Sequence, residues 1–119
     1  MRWKTSYDTG IPIIDAQHRE MFELIAFPDL TSHSEMFRLL SLLIEHHSTE
    51  ETLMQLYAYD QLDTHKREHG RIVGALKHSI RKRLPFPVED ILVQHFEEDK
   101  RSLAPYLLQT ASELKKMVG

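Results

Sequence analysis

Met36-Phe37-Arg38-Leu39-Leu40-Ser41-Leu42-Leu43-Ile44-Glu45-His46-His47-Ser48-Thr49-Glu50-Glu51-Thr52-Leu53-Met54 is the stretch whose reading decides the fold. Met36, Leu39, Leu40 and Leu43 form an apolar stripe at helical spacing, and the stripe resumes with Leu53, Met54 and Tyr57. Between the two groups stand His46, His47 and Glu50. The helical period runs on through them, but side chains able to hold a metal replace apolar ones. This helix is expected to start after Thr31 or Ser32 as cap, with Glu35 placed for a capping box, and to run to about Tyr59.

The flanking segments read in the same way. Residues 1–13 form an irregular arm with Gly10 and Pro12 as breakers. Asp15 is placed to cap a first helix through Phe27, with Ile14, His18, Met21, Phe22 and Ile25 on one side; Pro28 and Asp29 end it. A third helix is expected from about Leu62 to Leu84, with His65 and His69 in phase with Leu62, Ile72, Val73, Leu76 and Ile80. A fourth begins near Pro87 or Val88 and turns Val88, Ile91, Leu92, His95, Asp99 and Leu103 inward. Pro105 removes a backbone donor and should kink or end that helix, after which Tyr106 to Met117 can continue as a short amphipathic helix. Four amphipathic helices joined by short links predict an all-α, antiparallel up-down-up-down four-helix bundle with an N-terminal arm, one domain over residues 1–119.

Three of these helices carry a pair of ligand-type residues four apart: His46 with Glu50, His65 with His69, and His95 with Asp99. Residues at i and i+4 project from one face of a helix, one turn apart. His18 on the first helix adds a further contribution. Each pair alone occurs by chance on many helices, but three pairs in phase with the apolar stripes are a much stronger signal. Burying five histidines and two carboxylates unpartnered costs several kcal/mol per charged group, against a net domain stability of only about 5–15 kcal/mol. A pair of divalent cations compensates. Histidine and carboxylate without thiolate suit iron, manganese, zinc or copper, and so many ligands exceed one tetrahedral zinc.

Composition narrows the alternatives. The 119 residues are 41% hydrophobic and 28% charged, with few Gly and Pro, which favours helix. A net charge of −3 leaves no basic footprint for nucleic acid. With no cysteine there is no disulfide, thiolate metal site, iron–sulfur cluster or cysteine nucleophile. Neither a signal peptide nor an apolar run of about 18 residues is visible, so a cytoplasmic protein that does not enter a membrane is expected. His33 and His78 read as surface residues.

Several fragments together resemble the hemerythrins, in particular the single-domain bacterial ones. They are Trp3, Tyr7 and Gly10; Ile14-Asp15-Ala16-Gln17-His18; His46 to Met54; Tyr59; His65-Lys66-Arg67-Glu68-His69; Leu92-Val93-Gln94-His95; and Ala104-Pro105-Tyr106-Leu107. The resemblance covers nearly the whole chain. It implies two iron ions with a bridging oxo or hydroxo group that bind O2 reversibly. One iron takes three histidines and the other two, with a glutamate and an aspartate bridging them. Carried over by motif, the histidine ligands are His18, His46, His65, His69 and His95, and the bridging glutamate is Glu50.

Two departures bear on function. The family's bridging aspartate stands five residues after the last histidine, where this chain has Lys100; Asp99 is at four. On a regular helix the fourth residue lies about 40° round from His95 and the fifth about 140°. Asp99 is therefore expected to be the bridge, with Glu98 or no second bridge as the alternatives. The second departure is in the ligand pocket. His47 stands where the family commonly has Phe, and Ile91 where it often has Trp; Leu92, Phe96 and Leu103 remain apolar lining candidates. A polar His47 beside the centre could speed autoxidation or donate a proton. The leading expectation is O2 storage, delivery or sensing. The alternatives are an enzyme that consumes peroxide, O2 or nitric oxide, and a metal-binding signalling module.

Overall fold

A computed structural model describes residues 3–26, 33–84 and 86–118. Its helices are α1 (Pro12–Ala26), α2 (His33–Leu56), α3 (Leu62–Lys82), α4 (Val88–Glu98) and α5 (Ala104–Val118), and no strand occurs among the described residues. α2 packs against both α1 and α3, and α1 against α4, giving an antiparallel helical bundle 52 × 28 × 19 Å in extent. No described helix is long and apolar enough to cross a membrane. The expected caps Thr31 and Ser32, the stop at Pro28 and Asp29, and the side chains of Ile25 and Val88 lie outside what the structure describes.

The apolar core is in two parts. The larger joins Met21, Phe22, Leu39, Leu43, Ile72, Leu76, Leu92 and Phe96; the smaller joins Ile14, Met54, Tyr59, Leu103 and Leu107. On α2 the larger part ends at Leu43 and the smaller begins at Met54. The inward side of the intervening turns carries His46, His47 and Glu50, which are all buried. The break in the α2 stripe is thus a polar layer between two apolar ones.

The arm covers one side of the larger apolar cluster. Residues Thr5–Tyr7 form a single 3₁₀ turn. Trp3 packs edge-on against Tyr7 and Phe22, and its ring centroid lies 5.9 Å from that of Phe96. Gly10 turns the chain with φ +85°, a conformation natural to glycine. Asp15 departs from expectation. α1 begins earlier, at Pro12, so Asp15 sits within the first turn. Its carboxylate accepts from the Thr9 N–H and hydroxyl, both at 2.7 Å, and from the Gly10 N–H at 3.1 Å. It ties the arm to the helix instead of capping it.

Pro105 also departs from expectation, since helix continues through it to Val118. Between α4 and α5, Asp99–Leu103 winds as a π-helix, with the Ala104 N–H bonded to the Asp99 carbonyl. The wider turn gives the proline ring the room that a regular α-turn denies it. The Tyr106 hydroxyl then meets the carbonyls of Tyr57 and Ala58 at 2.7 and 3.0 Å, fastening α5 to the α2–α3 turn.

Candidate metal centre

Each expected ligand can be placed by the helix that carries it. α1 supplies His18, α2 supplies His46 and Glu50, α3 supplies His69, and α4 with its π extension supplies His95 and Asp99; all six are buried. His46 Nε2 lies 3.0 Å from both His18 Nε2 and His95 Nε2. Asp99 Oδ2 lies 3.0 Å from His18 Nε2 and 3.1 Å from His95 Nε2. The two oxygens of Glu50 diverge. Oε2 is 3.3 Å from His46 Nε2, while Oε1 is 3.1 Å from His69 Nε2 and 3.3 Å from His95 Nε2. One ligand atom each from His18, His46, Glu50, His95 and Asp99 falls within 4.8 Å of all the others.

Hydrogen bonding among these groups leaves the set incomplete. His46 Nδ1 faces the Gln17 carbonyl oxygen at 2.9 Å and donates to it, so in the neutral ring Nε2 is a bare lone pair. His18 Nε2 is offered both that lone pair and Asp99 Oδ2, with one proton to give. Among the described residues, every buried side-chain nitrogen or oxygen without a hydrogen-bond partner belongs to this layer: His18 Nδ1, both nitrogens of His47, both oxygens of Glu50, His69 Nε2 and Asp99 Oδ1. Each such atom costs about 1–3 kcal/mol. Lone pairs that converge without donors are what a cation satisfies, and the donor set of imidazole and carboxylate fits a first-row transition metal.

Outer residues orient the rings. Gln17 holds the His46 tautomer and in turn donates from Nε2 to Thr49 Oγ1 at 2.9 Å. His69 Nδ1 donates to Glu51 Oε2 at 2.9 Å, which turns Nε2 toward Glu50. Sequence reasoning missed both Gln17 and Glu51. The only signal is adjacency, since each stands beside an expected ligand in the chain, and adjacency does not reveal which ring it meets.

Burial disfavours charge throughout the layer. For His18 burial prevails and its pKa is lowered, the Asp99 contact opposing only in part. For His46, burial is outweighed by Glu50 and Asp99, which raise the pKa. For His95, burial is overcome by Asp99 and Glu50, and its pKa rises well above the usual histidine value. Burial opposes the Glu50 carboxylate, yet His46 and His95 hold its pKa well below the ordinary range. Burial and the Glu50 charge push Asp99 up, but His95 and His18 bring it below its usual value. His47 is driven down to about 2 by burial and then by His69, His95 and His46, so it stays neutral.

The remaining expected residues divide. His65 is not brought into the cluster. It stands in the first turn of α3, half-buried, its ring centroid 5.6 Å from Tyr59 and 6.0 Å from His69. With His69, His95 and Ile91 it lines a cavity of about 340 Å³ between α3 and α4. Of the pocket residues, Leu92 belongs to the larger apolar cluster and Leu103 to the smaller. Phe96 lies against His18, ring centroids 4.4 Å apart. His47 points inward, stacked on His69. Lys100 is exposed, and Glu98 bonds Arg101 and the Ser102 hydroxyl, so Asp99 is the acid of that turn that reaches the layer.

The chain is similar to the myohemerythrin of Theromyzon tessulatum, 33% identical over 78 residues, which are 64% of this chain and 65% of that protein. It is also similar to the myohemerythrin of Sipunculus nudus, 27% identical over 77 residues, 63% of this chain and 64% of that one. In both cases the match spans just under two thirds of the relative's length. No family model matches the chain, and no solved structure matches it significantly.

Proposed function

We propose that this chain is a hemerythrin of the single-domain bacterial type that its sequence resembles, holding two iron ions and binding O2 reversibly for storage, delivery or sensing. The observation that carries the reading is the confinement of unpartnered buried polar atoms, among the described residues, to one layer of histidines and carboxylates. The similarity to two myohemerythrins, over most of the chain, supports iron as the metal. His18, His46, His69, His95, Glu50 and Asp99 would hold the ions, with His65 on the same face of α3 as His69, one turn away. Two iron ions held there would supply the two electrons that reversible O2 uptake needs. The protein's part is to hold the rings in one tautomer, keep the carboxylates ionised and leave a path for a diatomic gas. The cavity beside His69 and His95 is that path, and its wall of Ile72 and Ile91 meets the charged rim of Arg71 and Arg101.

The test is spectroscopic. Iron-loaded protein, reduced under anaerobic conditions and then aerated, is expected to gain a visible absorption band that disappears when O2 is removed. Metal content without any reversible change would count against O2 binding, and rapid loss of the band with turnover of a reductant would indicate an enzyme. A second expectation concerns Glu51. Glu51→Leu removes the acceptor that orients His69, and metal affinity is expected to fall about 10–100-fold in a chelator competition, with the helical signal unchanged.

A further inference from the structure

Charge is unevenly spread over this chain. The net charge is −3, yet beyond Glu68 helix α3 carries Arg71, Lys77, Arg81 and Lys82 with no acid among them, and Arg83 follows as its cap. We propose that the basic end of α3, together with the exposed Phe37 and Leu84 at the same end of the bundle, docks a carboxylate-rich segment of a partner protein. The inference does not depend on the metal centre.

Three observations carry it. Lys77, Arg81, Lys82 and Arg83 are all exposed. Among the described residues no carboxylate pairs with any of them, whereas Arg71 and Arg101 are each held by a glutamate three positions earlier. The second observation is in the backbone. Basic side chains in a last turn offset the negative helix end, which accounts for Arg81 and Lys82, but that effect does not reach Lys77. Arg83 has φ 55° and ψ 41°, the left-handed conformation that glycine adopts without strain. A glycine would end the helix there more easily, so local stability does not account for an arginine. Third, Phe37 and Leu84 stand 56% and 49% exposed. α2 begins where the antiparallel α3 ends, which brings both to the basic end. Arginine and aromatic side chains are what protein interfaces gather.

Charge and shape select the occupant. Guanidinium groups take carboxylates in paired hydrogen bonds, and a surface of one sign steers a partner of the other. An anionic bilayer would also be attracted, but it presents a flat face. Lys82 lies about 140° round the helix from Lys77, and Arg83 leaves the helical path. An acidic protein segment can follow such a curved surface, where a plane meets only part of it.

The experiment is fluorescence anisotropy of a labelled glutamate-rich peptide with interspersed leucines, titrated with the full chain at low and at physiological salt. Wild type is expected to bind, and more weakly as salt rises. Lys77→Glu with Arg81→Glu should weaken binding at least about 10-fold. Lys115→Glu with Lys116→Glu makes the same change of net charge on α5 and should leave affinity within about twofold of wild type. Equal losses in the two double variants, or no binding by wild type, would overturn the proposal. So would a preference for phosphatidylserine vesicles over the peptide, or a salt-sensitive dimer of the chain that Lys77→Glu with Arg81→Glu abolishes. Arg83→Gly separates docking from folding. It is expected to raise the melting midpoint and still weaken the peptide; a lowered midpoint with unchanged affinity would make Arg83 a structural cap and overturn its part in the surface.

Discussion

Glu50→Gln is expected to cut metal binding from two ions to at most one, and to abolish the reversible O2 band. The substitution keeps the shape of the side chain and removes its charge, so loss of packing is not the cause. The reason lies in where the two oxygens point. Oε2 stands 3.3 Å from His46 Nε2 and Oε1 3.1 Å from His69 Nε2, so each oxygen faces a ring from a different helix. An amide offers one weak acceptor and one pair of donors, and the donors face rings whose lone pairs are needed for metal. Two divalent ions close together also require negative charge between them, and in this buried layer Glu50 and Asp99 are the carboxylates at hand. Loss of one should weaken the remaining site by at least about 100-fold. Metal analysis after gel filtration, with circular dichroism to confirm the helices, measures the effect. Two ions retained at wild-type affinity would show that the carboxylate does not bridge.

The second large effect concerns the register of the acid on α4. Asp99→Ala is expected to remove one ion, and adding Lys100→Asp to it should restore nothing. The Asp99 N–H bonds to the His95 carbonyl, so the segment from His95 to Asp99 is regular helix and the two side chains share a face. Position 100 lies a further step round, within the π turn, and there the native lysine is exposed. An aspartate placed there would be solvated. The double variant restores the number of carboxylates but not their position, so it separates the effect of geometry from that of carboxylate number. Recovery of the second ion in the double variant would mean that an acid at position 100 can reach the layer, and that Asp99 is not the required ligand. Isothermal titration with iron(II) under argon distinguishes the two outcomes.

Much of this is legible in the amino-acid sequence. The broken stripe on α2 located the polar layer, because a helix that keeps its period while changing its chemistry has to bury the new residues with the old. The four-residue spacing favoured Asp99 over Lys100 by angle alone. His47 and His65 were harder, for a physical reason. α2 packs against α1 on one side and α3 on the other, so its buried arc is wide enough for two successive residues, and phase cannot say which of His46 and His47 faces in. Both do. His65 satisfies the same phase rule as His69, but it stands in the first turn of α3, where the bundle opens onto Tyr59 and the cavity. Periodicity describes a face along a helix; it does not tell how far along that face the core extends. The side-chain partners Gln17, Glu51 and Asp15 were hidden because each bonds a residue set by tertiary packing or by the arm's turn.

The wide turn at Asp99–Leu103 has a consequence for how this helix reconciles two anchors of different origin. Upstream, the carboxylate is phased to the imidazole by regular winding. Downstream, the phenol of Tyr106 is phased to the carbonyls of Tyr57 and Ala58. A uniform coil links angle rigidly to residue count, so both anchors could be met only if the number of residues between them happened to agree. Five residues wound at the looser pitch take up one more residue than a regular coil would, and so release that constraint. The chemistry at one end and the fastening at the other can then drift by a residue relative to each other without either losing its target.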